Sequence, residues 1–191
     1  MDLAKLHKQY SAAKPFPHIA VKQFLPPAEF KKLRAAFGKQ QFQRKDADLF
    51  SFSQTHDLYT IKDKTIKGFL KFLNSKEVHD MITTTTHVKT KRGKVDASGF
   101  IYEPTDYLLC HDDGISSRKV AYIFYLNTLS ARNGGALALF SSKNHKPFKK
   151  VKRITPKENT LLIFPVTRKS HHEVEEVLNG KRMTITGWFH A

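Results

Sequence analysis

Residues 107–114 read Tyr-Leu-Leu-Cys-His-Asp-Asp-Gly, a half-apolar run that ends in an imidazole, two carboxylates and a glycine. The run predicts a β-strand, and residues i and i+2 of a strand point to the same face. We therefore expect His111 and Asp113 to present a nitrogen and an oxygen to one point in space. Two histidines and one carboxylate that leave coordination positions open suit non-haem Fe(II). The sequence thus predicts a metal site that needs one more histidine, supplied by a neighbouring strand.

The second histidine is expected within residues 170–174, Ser-His-His-Glu-Val. Adjacent strand residues point to opposite faces, so at most one of the two histidines faces the pocket of the His-x-Asp pair. His172 shares a face with Val174, and it is the ligand if that face is the interior. A single interior histidine is more often a core residue, but the upstream pair favours the ligand interpretation. The same alternation turns Asp112 away from the metal and predicts a structural or supporting role for it.

Short strand-like runs separated by turn residues fill the second half of the chain. Such a series with no helical interval predicts a double-sheet jelly roll or a closed barrel. The strands are expected at 98–103, 106–111, 118–127, 135–140, 151–155, 159–165, 170–177 and 181–189.

The first half contains the helical patterns, and we expect its helices to buttress one sheet. Residues 39–64 are polar and ambiguous, and β-branched residues from Thr83 onward favour strands. Helices are predicted within 1–14, after Pro26-Pro27 up to Gly38, over 66–73 and from Asn74 or Ser75 through Ile82, with one strand within 18–24.

Length and cysteine content limit the class of protein. A chain of 191 residues predicts one domain, helix-rich over 1–85 and with a β core over about 95–190. The single Cys110 excludes an intrachain disulfide and a cysteine-rich zinc site. No run is long enough to cross a bilayer and the first residues do not resemble a signal peptide. We therefore expect a soluble protein without a membrane partner, in the cytoplasm or, in a eukaryote, also in the nucleus.

The formal net charge of +16 predicts attraction to polyanions, RNA or ribonucleoprotein above all. A generally basic, solvated surface explains the same number equally well. Six basic residues concentrate between Lys143 and Arg153. This stretch either contacts ribosomal RNA or forms a solvated loop.

Arg182 follows His172 by ten residues, in an alternating strand over 181–189. It shares a strand face with Thr184 and Thr186. An inward arginine is costly unless a carboxylate meets its planar guanidinium, and a diacid cosubstrate would be such a partner. The alternative is an outward arginine on an exposed edge.

The pattern His111-x-Asp113, His172 and Arg182 resembles that of the 2-oxoglutarate/Fe(II) oxygenases, whose fold is the double-stranded β-helix, a cupin-like jelly roll. Further matches resemble the ribosomal prolyl-hydroxylase branch, the prolyl 3-hydroxylases and 3,4-dihydroxylases. These matches are 107–113, Arg118, Tyr125-Leu126-Asn127, Gly134-Gly135-x-Leu137, Ser170-x-His172-x-Val174 and Gly187-Trp188-Phe189-His190.

The resemblance implies roles for six residues. Arg182 would bind the distal carboxylate of the cosubstrate 2-oxoglutarate, the Tyr125 hydroxyl would assist, and Tyr102 would line the pocket. Ascorbate is a candidate reductant. Fe(II) would be held by His111, Asp113 and His172.

The resemblance also implies an activity, hydroxylation of a prolyl residue in a small-subunit ribosomal protein with conversion of 2-oxoglutarate and oxygen to succinate and carbon dioxide. Eukaryotic relatives carry a second, degenerate β-helix domain, and this chain is expected to be the catalytic domain alone. Arg118 matches a recurrent basic position that forms either a stabilising ion pair or a substrate contact. Two alternatives stay open: a 2-oxoglutarate oxygenase that acts on nucleic acid, and a non-catalytic basic RNA- or ribosome-binding module.

Overall fold

Two helices of the first half begin after residues whose side chains cap them. The Asp63 carboxylate accepts hydrogen bonds from the N–H groups of Thr65 and Ile66, and the Ser75 hydroxyl accepts one from Val78. In this computed structural model, which describes residues 2–115 and 117–191, the helices and the strands among them are α1 Leu3–Ala12, β1 Ile19–Lys22, α2 Pro27–Phe37, β2 Gln43–Ala47, β3 Phe50–Asp57, α3 Lys64–Leu73 and α4 Lys76–Thr86.

The remaining described strands follow one another without an intervening α-helix. Their positions agree with the sequence expectation to within a few residues at most boundaries; the largest differences are that the run expected at 151–155 begins at Lys146 and the one at 170–177 shortens to three residues. They are β4 Ser98–Tyr102, β5 Tyr107–His111, β6 Arg118–Tyr125, β7 Leu137–Lys143, β8 Lys146–Ile154, β9 Thr160–Pro165, β10 His172–Val174 and β11 Arg182–His190.

The described strands form two curved sheets joined at one pairing, between β3 and β5. The major sheet has the order β1-β9-β6-β11-β4-β3, with β2 beside β3, and the minor sheet has the order β5-β10-β7-β8. Apolar side chains of both sheets, such as Tyr102 and Phe164 from the major and Leu137 and Val174 from the minor, share one buried cluster. The sheets therefore enclose an interior, which confirms the prediction of a mostly β, double-stranded β-helix with N-terminal helices.

The four described helices cover the outer face of the major sheet. Phe124 on β6 meets the rings of Phe24, Phe30 and Phe69 with centroid separations of 5.3 to 6.1 Å. Its neighbour Tyr125 points the other way, into the cluster between the sheets. The predicted buttressing of one sheet is confirmed. No helix among the described residues is long and apolar enough to span a membrane.

One segment of the first half that the sequence left ambiguous contains two strands, and one expectation for this half was wrong. The ambiguous segment 39–64 contains the β2–β3 hairpin, which was missed because all five residues of β2 are exposed and show no alternation. The β-branched run from Thr83 does not begin a strand, since α4 continues through Thr86 and ends at His87 in a left-handed conformation. The Thr86 hydroxyl donates to the Ile82 carbonyl one turn back, which is how a threonine inside a helix satisfies its side chain.

Candidate metal centre

Two histidines meet because β10 inserts between β5 and β7. In the antiparallel pairing of β10 with β5, His172 lies directly opposite His111. The two imidazole centroids are 4.3 Å apart. Strand register thus brings together two ligands that are far apart in the sequence.

The carboxylate reaches the site by a route that the sequence did not predict. We expected strand alternation to orient Asp113. It does not, because the strand β5 ends at His111. Asp113 instead has a φ of 62°, a left-handed conformation that aspartate tolerates better than most residues. Its Oδ1 lies 3.5 Å from Nε2 of His111, and its Oδ2 lies 3.5 Å from Nε2 of His172.

Asp112 turns away from this centre, as predicted. Its Oδ1 accepts a hydrogen bond of 3.0 Å from the N–H of Gly114, a local turn that shapes the loop behind Asp113. The potential ligand atoms of the other three residues, His111, Asp113 and His172, all lie within 4.8 Å of one another.

Backbone carbonyls fix the orientation of both imidazoles. Nδ1 of His111 lies 2.8 Å from the Leu109 carbonyl oxygen, and Nδ1 of His172 lies 2.9 Å from that of Ser170. A carbonyl oxygen only accepts, so each Nδ1 carries the proton of the bond. In the neutral form of each ring Nε2 then carries no proton and lies 3.5 Å from an Asp113 oxygen, the tautomer that metal-binding histidines commonly adopt.

The electrostatics of the three side chains favour a cation. Burial lowers the pKa of His172, the nearby His111 lowers it further, and the result is about 4. Burial opposes the ionisation of Asp113, but the two imidazoles outweigh it and bring its pKa down to about 2. At neutral pH the centre therefore offers an ionised carboxylate and a neutral His172, and both can bind a metal without first losing a proton.

Arg182 is the second unusual feature of the interior. It is 1% exposed, on β11, paired with Tyr102 of β4. Its guanidinium carbon lies 5.0 Å from the ring centroid of Tyr102 and 5.4 Å from that of Tyr125. Its Nε and Nη2, and the Tyr125 hydroxyl, are buried without a hydrogen-bond partner among the described residues. Such a group calls for an anionic ligand.

One cavity of about 230 Å³ connects the two features. The potential metal ligands and Arg182 lie on its wall, together with Tyr102, while Tyr125 stands beside the guanidinium. The alternative of an outward arginine on an exposed edge is excluded, because Arg182 is buried. A small diacid can place one carboxylate at the guanidinium and direct its other end towards the three ligands.

Arg118 also lies on the cavity wall, but it forms neither an ion pair nor any other contact with a carboxylate among the described residues. Its guanidinium carbon stacks 3.3 Å from the ring centroid of Trp188. Trp188 and Gln54 also line the cavity, although the sequence pattern did not predict this role for either. Extending the alternation Arg182, Thr184, Thr186 by one step would have found Trp188.

Comparison with known proteins gives consistent results. The family model described as the 2OG-Fe(II) oxygenase superfamily matches residues 97–190. Prolyl 3-hydroxylase OGFOD1 of Xenopus laevis is 36% identical over 182 residues, which cover 93% of this chain and 35% of that protein. Prolyl 3-hydroxylase sudestada1 of Drosophila melanogaster is 36% identical over 164 residues, 80% of this chain and 30% of that protein. The chain thus spans about a third of the length of these relatives.

Among solved structures, a prolyl-4-hydroxylase of Pseudomonas putida superposes with a TM-score of 0.78 at 17% identity, over 98% of both chains. At that identity the superposition is evidence for the fold alone. Fold, ligand cluster, family match and similarity to the curated relatives agree, and residues 97–190 of the chain belong to the 2OG-Fe(II) oxygenase superfamily, whose cofactors are Fe(II) and 2-oxoglutarate.

Proposed function

We propose that this protein is a 2-oxoglutarate- and Fe(II)-dependent dioxygenase that hydroxylates a prolyl residue of a protein. The single observation that carries the proposal is the cavity that combines three potential metal ligands with a buried guanidinium, two of whose nitrogens have no hydrogen-bond partner among the described residues. The relatives named prolyl 3-hydroxylase support the choice of proline.

Different residues of the cavity bind the cosubstrate and the metal. Arg182 pairs with the distal carboxylate of 2-oxoglutarate, the Tyr125 hydroxyl donates to the same group, and the Tyr102 ring walls that end of the cavity. Fe(II), when bound, supplies the activation of oxygen needed to oxidise an unactivated C–H bond. The Fe(II) ligands in this proposal are His111, Asp113 and His172.

The surrounding side chains keep the reacting groups out of bulk water. Phe164 packs against the His172 ring at 4.8 Å between centroids, and the aromatic rings of Phe52 and Phe100 complete much of the wall. The overall reaction converts 2-oxoglutarate, oxygen and a prolyl residue to succinate, carbon dioxide and hydroxyproline. The protein holds the metal with open positions, orients the diacid and admits the target side chain.

A small-subunit ribosomal protein is the proposed substrate, with ribosomal RNA touched by the basic surface and with the cytoplasm as the place of action. The resemblance in sequence to the ribosomal prolyl-hydroxylase branch and the charge of +16 support this choice. A protein that works on ribosomes has to approach a polyanion, which a basic surface favours.

The test is mass spectrometry of proline-containing peptides from small-subunit ribosomal proteins after incubation with Fe(II), 2-oxoglutarate and ascorbate. We expect one added oxygen on a proline and an equal amount of succinate. Asp113→Ala abolishes both products, whereas Asp112→Ala, its neighbour outside the ligand cluster, retains much of the activity. Full activity of the Asp113→Ala protein would refute the metal assignment.

The high positive charge favours one further candidate, a 2-oxoglutarate oxygenase that acts on nucleic acid. Incubation with methylated oligonucleotides separates the two, because demethylation of RNA or DNA without oxidation of any peptide supports the second candidate. Salt-sensitive RNA binding without any succinate would instead identify a non-catalytic binding module.

A further inference from the structure

The β7–β8 hairpin projects from the edge of the minor sheet. Strand β8 is the last in the strand order, and β10 pairs with β7 only at Leu137–Leu139. The pairing of β7 with β8 continues to Lys143 and Lys146, so the outer part of the hairpin extends beyond its neighbour strand. The residues of β8 are exposed up to Ile154.

Side-chain contacts hold this arm in place. His171, the histidine next to the potential ligand, donates from Nε2 to the His145 carbonyl oxygen at the hairpin turn over 3.0 Å. Lys150 lies 2.7 Å from Glu173 and 2.8 Å from Glu175, and Arg153 lies 2.6 Å from Glu175. The arm is therefore oriented by β10 and the residues that flank it.

The basic residues of the arm fall into two groups. Lys150 and Arg153 are paired with carboxylates of the same sheet. The other lysines of the arm are exposed and have no carboxylate within 4.0 Å among the described residues. These unpaired lysines are Lys143, Lys146, Lys149 and Lys152.

An exposed aromatic ring lies on the same hairpin, beside one of these lysines. Phe148 is 68% exposed, and Nζ of Lys143 lies 5.5 Å from its ring centroid. Unpaired cations along a strand that also exposes an aromatic ring are a combination that binds single-stranded nucleic acid, with phosphates on the cations and a base on the ring. Lysines along an edge strand oppose the addition of a peptide strand.

We infer that the β7–β8 hairpin is a binding arm for single-stranded RNA, in which the four unpaired lysines contact phosphates and Phe148 stacks on a base. This inference rests on the RNA contact proposed above and specifies where it is made. Two strand spacings, about 10 Å, separate β8 from β10. The arm thus holds RNA beside the sheet that carries the two histidines of the metal centre.

The test compares two variants with the same loss of charge. Lys146→Gln/Lys149→Gln/Lys152→Gln removes three cations of the arm, and Lys64→Gln/Lys67→Gln/Lys71→Gln removes three exposed cations of α3. Binding of a fluorescent single-stranded RNA of about twelve nucleotides is followed by anisotropy at several salt concentrations. We expect the arm variant to bind at least about tenfold more weakly at 0.1 M salt. The slope of log affinity against log salt concentration is expected to become smaller in magnitude by about 2. The α3 variant stays near the wild-type protein.

Phe148→Ala tests the stacking. We expect affinity for the single strand to fall about fivefold or more while affinity for duplex RNA of the same length is retained. Equal losses in the two triple variants, an unaffected Phe148→Ala protein, or equally tight binding of a glutamate-rich peptide would each overturn the inference. Peptide hydroxylation by the same variants, assayed without RNA, is expected to be unchanged, so a failure of the RNA arm is distinguishable from a failure of the proposed activity.

Discussion

At the scale of single residues, the guanidinium of Arg182 lies in the interior without a carboxylate beside it. Two aromatic rings face it, and two of its nitrogens have no partner among the described residues. An uncompensated buried charge destabilises a fold, and it is retained where a ligand completes it. The protein without cosubstrate is therefore less stable than its packing allows.

Replacing Arg182 by methionine separates binding from stability. Arg182→Met is expected to lose binding of 2-oxoglutarate by about 30-fold or more, since a buried charged hydrogen bond is worth roughly 2–5 kcal/mol. Its melting temperature without 2-oxoglutarate is expected to equal or exceed that of the wild-type protein. Calorimetric titration and thermal melts measure the two quantities. A variant that melts much lower while still binding 2-oxoglutarate would contradict this account.

The sequence could predict which three residues come together, from residue type and spacing, but not the geometry that brings them together. It places a carboxylate two residues after a histidine, a spacing from which we expected strand alternation to orient Asp113. The structure ends the strand at His111 and uses the left-handed backbone of Asp113. Aspartate visits that conformation only moderately often, and its use here depends on the loop that Asp112 and Gly114 close.

At the scale of elements, the β2–β3 hairpin is held by a buried carboxylate from another strand connection. Asp106, 1% exposed, accepts hydrogen bonds from Arg44 of β2 at 2.8 and 2.6 Å, from Ser51 of β3 at 3.1 Å, and from the backbone N–H of Glu103 at 2.9 Å. Short-range sequence patterns do not contain such a contact, and the exposed residues of β2 show no alternation, so the hairpin escaped prediction on both counts. The later strands alternate and were found.

Asp106→Asn is expected to destabilise the protein by about 1.5–3 kcal/mol at pH 7, because it removes hydrogen bonds to a buried charge. Burial opposes the ionisation of Asp106, but Arg44 and the other donors prevail and lower its pKa below the usual 3.8. The stabilisation is therefore complete above pH 3.8 and is lost as the pH falls through the lower folded value. Urea unfolding at pH 7 and at lower pH measures this.

The matched control for this prediction is Asp48→Asn, which changes an exposed carboxylate at the turn of the same hairpin. It is expected to alter the free energy of unfolding by less than about 0.5 kcal/mol. A difference between Asp106→Asn and the wild-type protein that does not shrink in acid would show that the carboxylate charge is unimportant there.

At the scale of the whole molecule, the two sheets enclose a cavity that is lined by apolar side chains and by polar groups that have no hydrogen-bond partner among the described residues. Phe124 and Tyr125 divide the roles on a single strand: the first joins the helices to the major sheet, and the second faces Arg182. The cavity is therefore built from the same strands that carry the core. Ligands that bind only to the folded state stabilise the entire fold.

Mn(II) with 2-oxoglutarate, each at 100 times its dissociation constant, is expected to add about 2.7 kcal/mol per site to the stability of the wild-type protein. Asp113→Ala is expected to lose the response to Mn(II), and Arg182→Met the response to 2-oxoglutarate. Thermal melts under nitrogen measure these shifts without any turnover. An undiminished Mn(II) shift in the Asp113→Ala protein would place the metal elsewhere.

The insertion of β10 between β5 and β7 also sets the order of events during synthesis. Of the three proposed ligands, His111 and Asp113 leave the ribosome well before His172. If these residues hold the iron, the nascent chain cannot assemble the centre until β10 has emerged and paired with β5 and β7, so the metal can bind only to a nearly complete fold.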